Sequence, residues 1–408
     1  MKNIRDIRHD KNLYFILPEE VEISRISCYE DVAVIVYLYY EDSLEKYLPY
    51  VDRIPEKISI YIVSSNEELY QPTLEYIHLN KNKKIKLIRK KNRGRDISAL
   101  LVACREICIE HKYFCFVHDK KKKEIVPAAD FALWIENLWG NSLAGEKYIS
   151  NVLNIFETNN KIGILAPPEP IGTYMNAWYT NNSWGKINFK LACQLAKELQ
   201  LNCDLDIQKS PITLGTVFWA RSDALKKLFE KEWKYEDFDD EPLGEETISH
   251  AIERIFGYVA QDAGYDTGTV MRSTYGERLL SYTQENFTYI YQMFRNDYGL
   301  CNVKEFFKKR NDIYEFCTKN KNVYLYGAGI IGKRCLHLLR SGGYEPAGFI
   351  ITKANGINQQ IEGIAVKSLE DISNIEDAGV IIAVGKKLEM DLEKNLILKN
   401  MKNYIKYL

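Results

Sequence analysis

Two polar turns carry the residues best suited to chemistry. The first is Asn92-Arg93-Gly94-Arg95-Asp96, with two guanidiniums and one carboxylate in a single short turn. Arginine forks match phosphate oxygens two at a time, and Asp96 could accept from a base or a ribose hydroxyl. The same residues also suit an ordinary turn in which Asp96 caps the next helix and the arginines are solvated. The second turn is His118-Asp119-Lys120, continued by Lys121, Lys122 and Lys123. A carboxylate at the end of a buried strand can hold a divalent cation that bridges a diphosphate. The lysines could instead neutralise the diphosphate directly, or form a charged surface loop. A third candidate is Glu245-Glu246, which opens a helix behind Asp237, Asp239, Asp240 and Glu241. A carboxylate there could deprotonate an acceptor hydroxyl, although acidic residues also favour helix N-termini for electrostatic reasons alone. His250 and Glu253-Arg254 on that helix suit a supporting layer or ordinary surface.

The elements that must position these turns alternate. Val32 to Tyr40 is a near-continuous apolar run, the pattern of a strand buried on both faces of a parallel sheet. Asp42 or Ser43 can cap a helix with Leu44, Tyr47, Leu48 and Val51 on one side. Ile58–Val63 is a second strand ending in Ser64-Ser65-Asn66, and a helix runs from Leu69 to Leu79. Ile85–Ile88 is a third strand. Ile97 to Glu110 has helical spacing, with Leu100, Leu101, Cys104, Ile107 and Cys108 on one face. Tyr113–Val117 is a fourth strand. This alternation predicts a right-handed, mostly parallel sheet. Both chemical turns follow strands, so they should share the carboxyl edge where ligands of open α/β sheets bind.

Further along, residues 130–160 read as helical, with Trp134, Ile135, Leu138 and Trp139 on one face. Ile162–Ala166 and Thr213–Ala220 read as strands, separated by an insert over 171–210 suited to a second substrate. Residues 285–320 read as charged helices. Val323–Tyr326 then leads into Gly327-Ala-Gly329-Ile-Ile-Gly332, the strand–glycine turn–helix context of dinucleotide binding. Ala347–Ile351 and Val380–Val384 supply two more strands of a small βαβ unit. The first of these runs into Thr352-Lys353, without the acidic residue that holds a ribose hydroxyl, which speaks against NAD.

The chain has 408 residues, enough for two or three domains. Its net charge of −1 argues against a nucleic-acid partner. Nine scattered cysteines, with no Cys-x-x-Cys pair, fit a reducing compartment. The histidines show no zinc-type spacing. No apolar run is long enough to span a bilayer, and Met1–Asp6 lacks a signal-peptide core. The expectation is a cytoplasmic protein, with peripheral association at the inner membrane face and oligomerisation both open.

Taken together and in order, Asn92–Asp96, Phe116-Val117-His118-Asp119-Lys120-Lys121, Gly163–Pro168, Gly215–Arg221, Trp233–Phe238 and His250–Gln261 resemble the rhamnan synthesis protein F family over roughly residues 30–275. The resemblance implies a glycosyltransferase of cell-surface polysaccharide assembly (rhamnan, capsule or O-antigen) with a GT-A-like, Rossmann-type fold. It implies L-rhamnose from dTDP-rhamnose as donor and a growing or lipid-linked glycan as acceptor. It places Asp119 at the position for Mg2+ or Mn2+ and the diphosphate. His118 and Lys120 replace the outer positions of the usual Asp-x-Asp. It makes Glu245 or Glu246 the base where the family more often reads Asp-Gly-Thr.

The expected organisation is a glycosyltransferase domain over 1–300, a helical linker over 301–320 and a small Rossmann-like module over 321–408. Asn92, Arg93, Gly94, Arg95, Asp96, His118 and Lys120 should bind the donor. Gly327, Gly329 and Gly332 carry the alternatives. One is an enzyme that binds NAD(P) or a nucleotide sugar through the C-terminal module. The other is a non-catalytic docking protein of an assembly complex.

Overall fold

In the computed structural model, residues 13–24, 26–122, 124, 126–170, 184–207, 209–241, 246–293, 295, 303–352, 360–372 and 378–407 are described. The chain divides into two compact units, residues 1–280 and 281–408. The division falls at 280/281, inside a helix, rather than at 300/301.

The first unit is a mixed α/β layer structure. Its strands are β1 (Tyr14–Leu17), β2 (Val32–Tyr37), β3 (Ser59–Ser64), β4 (Lys84–Arg89), β5 (Tyr113–His118), β6 (Ile162–Ala166), β7 (Phe218–Arg221) and β8 (Asp266–Arg272). They form one sheet in the order β1-β8-β6-β7-β5-β2-β3-β4. All pairings are parallel except those of β7, which runs antiparallel between β5 and β6. The helices are α1 (Ser43–Val51), α2 (Tyr70–Leu79), α3 (Arg95–Ser98), α4 (Arg105–Glu110), α5 (Ala128–Ile135), α6 (Glu146–Thr158), α7 (Lys186–Glu198), α8 (Lys226–Glu230), α9 (Ile248–Asp262) and α10 (Ser273–Met293). The continuous apolarity of β2 is explained by helices on both faces. Ala33, Ile35 and Tyr37 join one core with α7 and α9, while Val32, Val34 and Val36 join the other with α1 and α6.

Several elements differ from the sequence pattern. The 97–110 helix is interrupted by a wide turn over Ala99–Ala103, where the Cys104 amide reaches back to Ala99 O. Leu100, Leu101, Cys104 and Cys108 are nonetheless buried together. A similar wide turn at Glu136–Gly140 and a break at 141–145 divide the 130–160 helix. Of the Thr213–Ala220 strand, only 218 onward is extended; the preceding residues turn sharply, with Gly215 and Thr216 at positive φ. The edge strand β1 and its neighbour β8 lie on segments whose mixed polarity hides their pairing. Of the 171–210 insert, residues 171–183 and 208 lie outside the described residues, and much of the rest is α7.

The second unit holds α11 (Val303–Lys319), β9 (Asn322–Tyr326), α12 (Ile330–Ser341), β10 (Gly348–Ile351), β11 (Gln360–Ile361), β12 (Ile364–Ser368), β13 (Ala378–Ile382), α13 (Lys386–Leu398) and β14 (Tyr404–Lys406). The sheet order β11-β12-β10-β9-β13-β14 is fuller than the expected three strands. Residues 301–320 do not form a free linker. Ile313 and Cys317 of α11 are buried in the unit's core beside Leu325, Cys335 and Phe349. Among the described residues, no helix is long and apolar enough to cross a membrane.

The glycines of the β9–α12 turn have different tasks. A Cβ on Gly332 would fall 1.9 Å from Gly327 O, whereas one on Gly329 would meet nothing within 4 Å. Gly332→Ala is therefore expected to destabilise the second unit by about 1–3 kcal/mol or more, and Gly329→Ala by about 0.5 kcal/mol or less. Hydrogen exchange of the β9 and β10 amides in the full chain measures both. Equal protection in the two variants would contradict this packing.

Candidate active site

The chain runs from β2 outward to β3 and β4, then returns to β5 on the other side of β2. The switch point of the sheet thus lies between β2 and β5, and their carboxyl ends meet where Tyr37 pairs with His118. Asp119, the next residue, is buried. Its Oδ2 accepts hydrogen bonds from the Tyr39 amide (2.6 Å), the Tyr40 amide (2.9 Å) and the Ser43 hydroxyl. One carboxylate therefore shapes the whole β2–α1 loop. Ser43 serves Asp119 rather than capping α1, and the Asp42 carboxylate pairs with Lys46. Burial raises the Asp119 pKa, against the opposing pull of these donors and of Lys120.

His118 and Lys120 flank it and face a second cluster. Lys120 Nζ donates to Gly215 O (2.6 Å) and lies 2.7 Å from His118 Nε2. His118 Nε2 is itself 3.0 Å from Gly215 O, so the ammonium, the imidazole and this carbonyl form one close polar cluster. Burial, then the Lys120 charge, push the His118 pKa down to about 4, so the ring is neutral at pH 7. Asp96 stands 3.5 Å from His118 Nε2. Burial alone would raise its pKa, but His118, Lys120, local backbone and the Thr216 hydroxyl hold it below the usual carboxylate range. The Gly215 turn is fixed from α9: Glu253 Oε1 accepts from the Gly215 amide at 2.6 Å, and Glu253 Oε2 pairs with Arg254 at 2.7 Å. The Trp139 indole donates to His118 O at 3.0 Å and anchors the strand end.

The arginine turn is engaged by the acidic stretch before α9. Lys91 pairs with Glu236 (3.3 Å), Arg93 with Asp240 (2.9 Å) and Arg95 with Glu241 (3.5 Å). Exposed ion pairs of this kind each contribute only ~0–1 kcal/mol. The firmer contacts are apolar and backbone-directed. Arg93 Nε donates to Phe238 O at 2.7 Å, and the buried Phe238 ring lies against Gly94. Gly94 has φ 72°, and a Cβ there would approach Phe238 Cγ to 2.6 Å, so glycine is required on both counts. Beneath the turn Lys90 is buried, with Nζ 3.3 Å from Arg93 O and 5.1 Å from the centre of the Tyr37 ring. Burial lowers its pKa to about 8.

Beside these groups lies an open cleft of about 800 Å³ at the carboxyl ends of β2, β3 and β4. Tyr39, Tyr40, Ser65, Asn66 and Asn92 line it, with Glu41, Asp42, Glu67 and Glu68 forming an acidic side. Its wall is internally bonded: Asn66 Nδ2 donates to Tyr39 O (2.8 Å), Ser65 Oγ to Asn92 Oδ1 (3.3 Å), and Tyr37 OH lies 3.1 Å from Ser65 Oγ. Among the described residues, no group of three or more His, Cys, Asp or Glu side chains is arranged to hold a metal.

The sequence model of the rhamnan synthesis protein F family matches residues 1–265. The chain belongs to that family. Two relatives, both described as uncharacterized protein WxcX, come from Xanthomonas campestris pv. campestris strains B100 and ATCC 33913. Each is 25% identical over 184 residues, 44% of this chain. The match covers 24% of each relative's own length, so the chain spans about a quarter of these proteins. The mannosyltransferase PcManGT from Pyrobaculum calidifontis, solved with GDP-Man and Mn2+, aligns over 59% of this chain and 54% of its own. The identity is 14% and the TM-score 0.33.

Within this rhamnan synthesis protein F member, the site residues expected from sequence separate into groups. Asp96, His118 and Lys120 converge, and Asp119 stands beside them. Asn92 lines the cleft. Arg93, Gly94 and Arg95 hold the 236–241 segment. Glu246 is exposed at the start of α9 with φ 68°, and Glu245 lies outside the described residues. Gly327, Gly329 and Gly332 lie in the second unit; Thr352, at the end of β10, sits 2.9 Å from the Tyr326 hydroxyl, and Lys353 lies outside the described residues. Sequence reasoning missed Tyr39, Tyr40, Ser65 and Asn66 as cleft residues and Glu253 as the brace of Gly215. The carboxyl-end rule applied to β2 and β3 would have found the first four.

Two stability tests follow. Asp119→Ala leaves the Tyr39 and Tyr40 amides without their acceptor and should cost ~2–4 kcal/mol, whereas Asp119→Asn keeps an acceptor oxygen and should cost less. Urea denaturation separates them, and equal losses would contradict the anchoring role. For Lys90, the folded pKa lies below the unfolded value of 10.5, so its charge opposes folding fully below about pH 8 and progressively less up to pH 10.5. Lys90→Met should be more stable than wild type by about 1–3 kcal/mol at pH 7, with the gap closing near pH 10. A gap that widens would contradict the assignment.

Proposed function

We propose that residues 1–280 form a GT-A-like glycosyltransferase of cell-surface polysaccharide assembly, transferring a sugar from a nucleotide-sugar donor to a growing or lipid-linked glycan. L-Rhamnose from dTDP-rhamnose is the donor we favour. The observation that carries this reading is the cleft at the switch-point edge, in a chain whose family is named for rhamnan synthesis. Its size suits a nucleoside. Tyr39 and Tyr40 offer ring faces to a base, and the carboxylates opposite are acceptors for ribose hydroxyls. The same carboxylates repel phosphate, which directs the diphosphate toward Lys120–Lys122.

The chemistry is a single displacement. The acceptor oxygen bonds to the anomeric carbon as the bond to the diphosphate oxygen breaks and its electron pair leaves with the diphosphate. The acceptor proton passes to Glu246 or to Glu245. Attack opposite the leaving group inverts the anomeric carbon. Base catalysis and charge stabilisation each contribute ~10²–10⁴-fold. In this reading Arg93 and Arg95 hold the 236–241 segment rather than clamp phosphate.

Release of nucleoside diphosphate from dTDP-, UDP- and GDP-sugars, with a glycan acceptor present, tests the proposal. Turnover by the wild type and a ~10²-fold or larger loss of kcat in Glu246→Gln or Glu245→Gln are expected. No turnover with any donor, and no thermal shift with any of the three nucleotides, would remove the reading.

A second reading concerns residues 281–408. The glycine turn there follows β9, beside β13, at that sheet's own switch point, and Gly329 is open to close approach. A nucleotide or nucleotide sugar could rest on it. A thermal shift with NAD(P)(H) or UDP-sugars that Gly329→Val abolishes would support this reading.

A further inference from the structure

The resemblance to the family implied Mg2+ or Mn2+ on Asp119, and the residues present do not fit that ion. Asp119 Oδ2 already accepts from two amides and a hydroxyl. His118 Nε2, the neighbouring nitrogen ligand by type, is closed in by the Lys120 ammonium at 2.7 Å and by Gly215 O at 3.0 Å. A divalent cation bound to either flank would have to share the strand end with that ammonium, and like charges at such separations repel strongly when half-buried. The remaining carboxylate of the cluster, Asp96, is turned toward His118 and the Thr216 hydroxyl.

The ammonium is held as a built-in cation would be. Gly215 O fixes it from one side and His118 Nε2 from another, and the Trp134 ring centre lies 5.2 Å away. Gly215 is in turn tied to Glu253, so the cradle spans β5, the turn before β7, and α9. Among the described residues Lys120 Nζ makes its close polar contacts with Gly215 O and His118 Nε2, and an ammonium has three donors. The third N–H is available to a ligand oxygen. Burial lowers the Lys120 pKa, and the surrounding carboxylates Asp96, Glu253 and Asp119 oppose that shift and favour the charged form.

We propose that Lys120 supplies the positive charge on the departing diphosphate as a fixed ammonium, and that donor binding and transfer proceed without a divalent cation on Asp119. This inference rests on the glycosyltransferase reading and names its electrostatic catalyst. It follows that the donor is recognised through a single-charged donor group with directed N–H bonds, rather than through chelation by two phosphates.

Calorimetric titration of the full chain with dTDP, UDP and GDP, in excess EDTA and in excess MnCl2, reads the binding step. Nucleoside diphosphate release from the matching sugars reads the chemical step. The expected result is a dissociation constant and a kcat that agree within about twofold in the two buffers. Lys120→Met should lower kcat by ~10²–10³-fold in both, and Lys120→Arg should recover part of that loss. Melting temperature checks that each variant is folded, and the EDTA comparison on the wild type does not depend on them. Binding or turnover that vanishes in EDTA and returns with Mn2+ would overturn this inference while leaving the glycosyltransferase reading intact. Wild-type turnover in a folded Lys120→Met would do the same. No binding and no turnover in either buffer would overturn both.

Discussion

The active edge of the first unit depends on one buried carboxylate. Asp119 ends the central strand β5 and gathers the Tyr39 and Tyr40 amides and the Ser43 hydroxyl onto a single oxygen. Backbone amides at a strand end must find acceptors or lose a large part of their solvation energy. Here they find one on the neighbouring strand, across the sheet's switch point. The bond both closes the β2–α1 loop and sets the wall of the cleft. Without it the two tyrosines would have no reason to present themselves together at the β2 end.

Around that anchor the charges are arranged so that no ion is buried alone. His118 is neutral, which removes one positive charge from a crowded strand end. Lys120 remains as the cation, compensated by Asp96, Glu253 and Asp119. Such a cluster contributes little to stability because desolvation offsets its attractions. Its physical effect is orientation: two close polar contacts and an aromatic ring leave the ammonium few places to point. Under the proposed function, such pre-oriented charge would stabilise a leaving diphosphate without reorganisation during the reaction.

The arginine turn illustrates how residue type alone can mislead. Two guanidiniums in one turn suggest phosphate recognition, yet they lie against Asp240, Glu241 and the Phe238 carbonyl. The deciding contact is apolar, since the exposed ion pairs are weak. Phe238 packs on a glycine with no Cβ, and this docks the stretch leading to α9 onto the turn before α3. The turn therefore holds the 236–241 segment, and of its residues Asn92 lines the cleft.

Local sequence determined a great deal. The apolar runs at 32–37, 59–63 and 113–117, the polar residues that end them, and the helical spacing between them specify parallel strands buried on both faces. They also specify which polar residues fall at the carboxyl edge of the sheet. The family is legible because several motifs recur in order over 1–265. Pairings between distant segments were decided only by the tertiary structure. Asp119 meets residues 39–43, Lys120 meets Gly215, Arg93 meets Phe238, and Glu253 meets Gly215 in the turn that precedes the antiparallel strand β7. The second unit shows the same division: its glycine turn was readable, while its six-stranded sheet and the burial of α11 were not. The physical reason is that periodicity reports how a segment meets the core as a whole. A hydrogen bond from a side chain to a group far away in sequence leaves no periodic trace, because each partner alone suits solvent equally well.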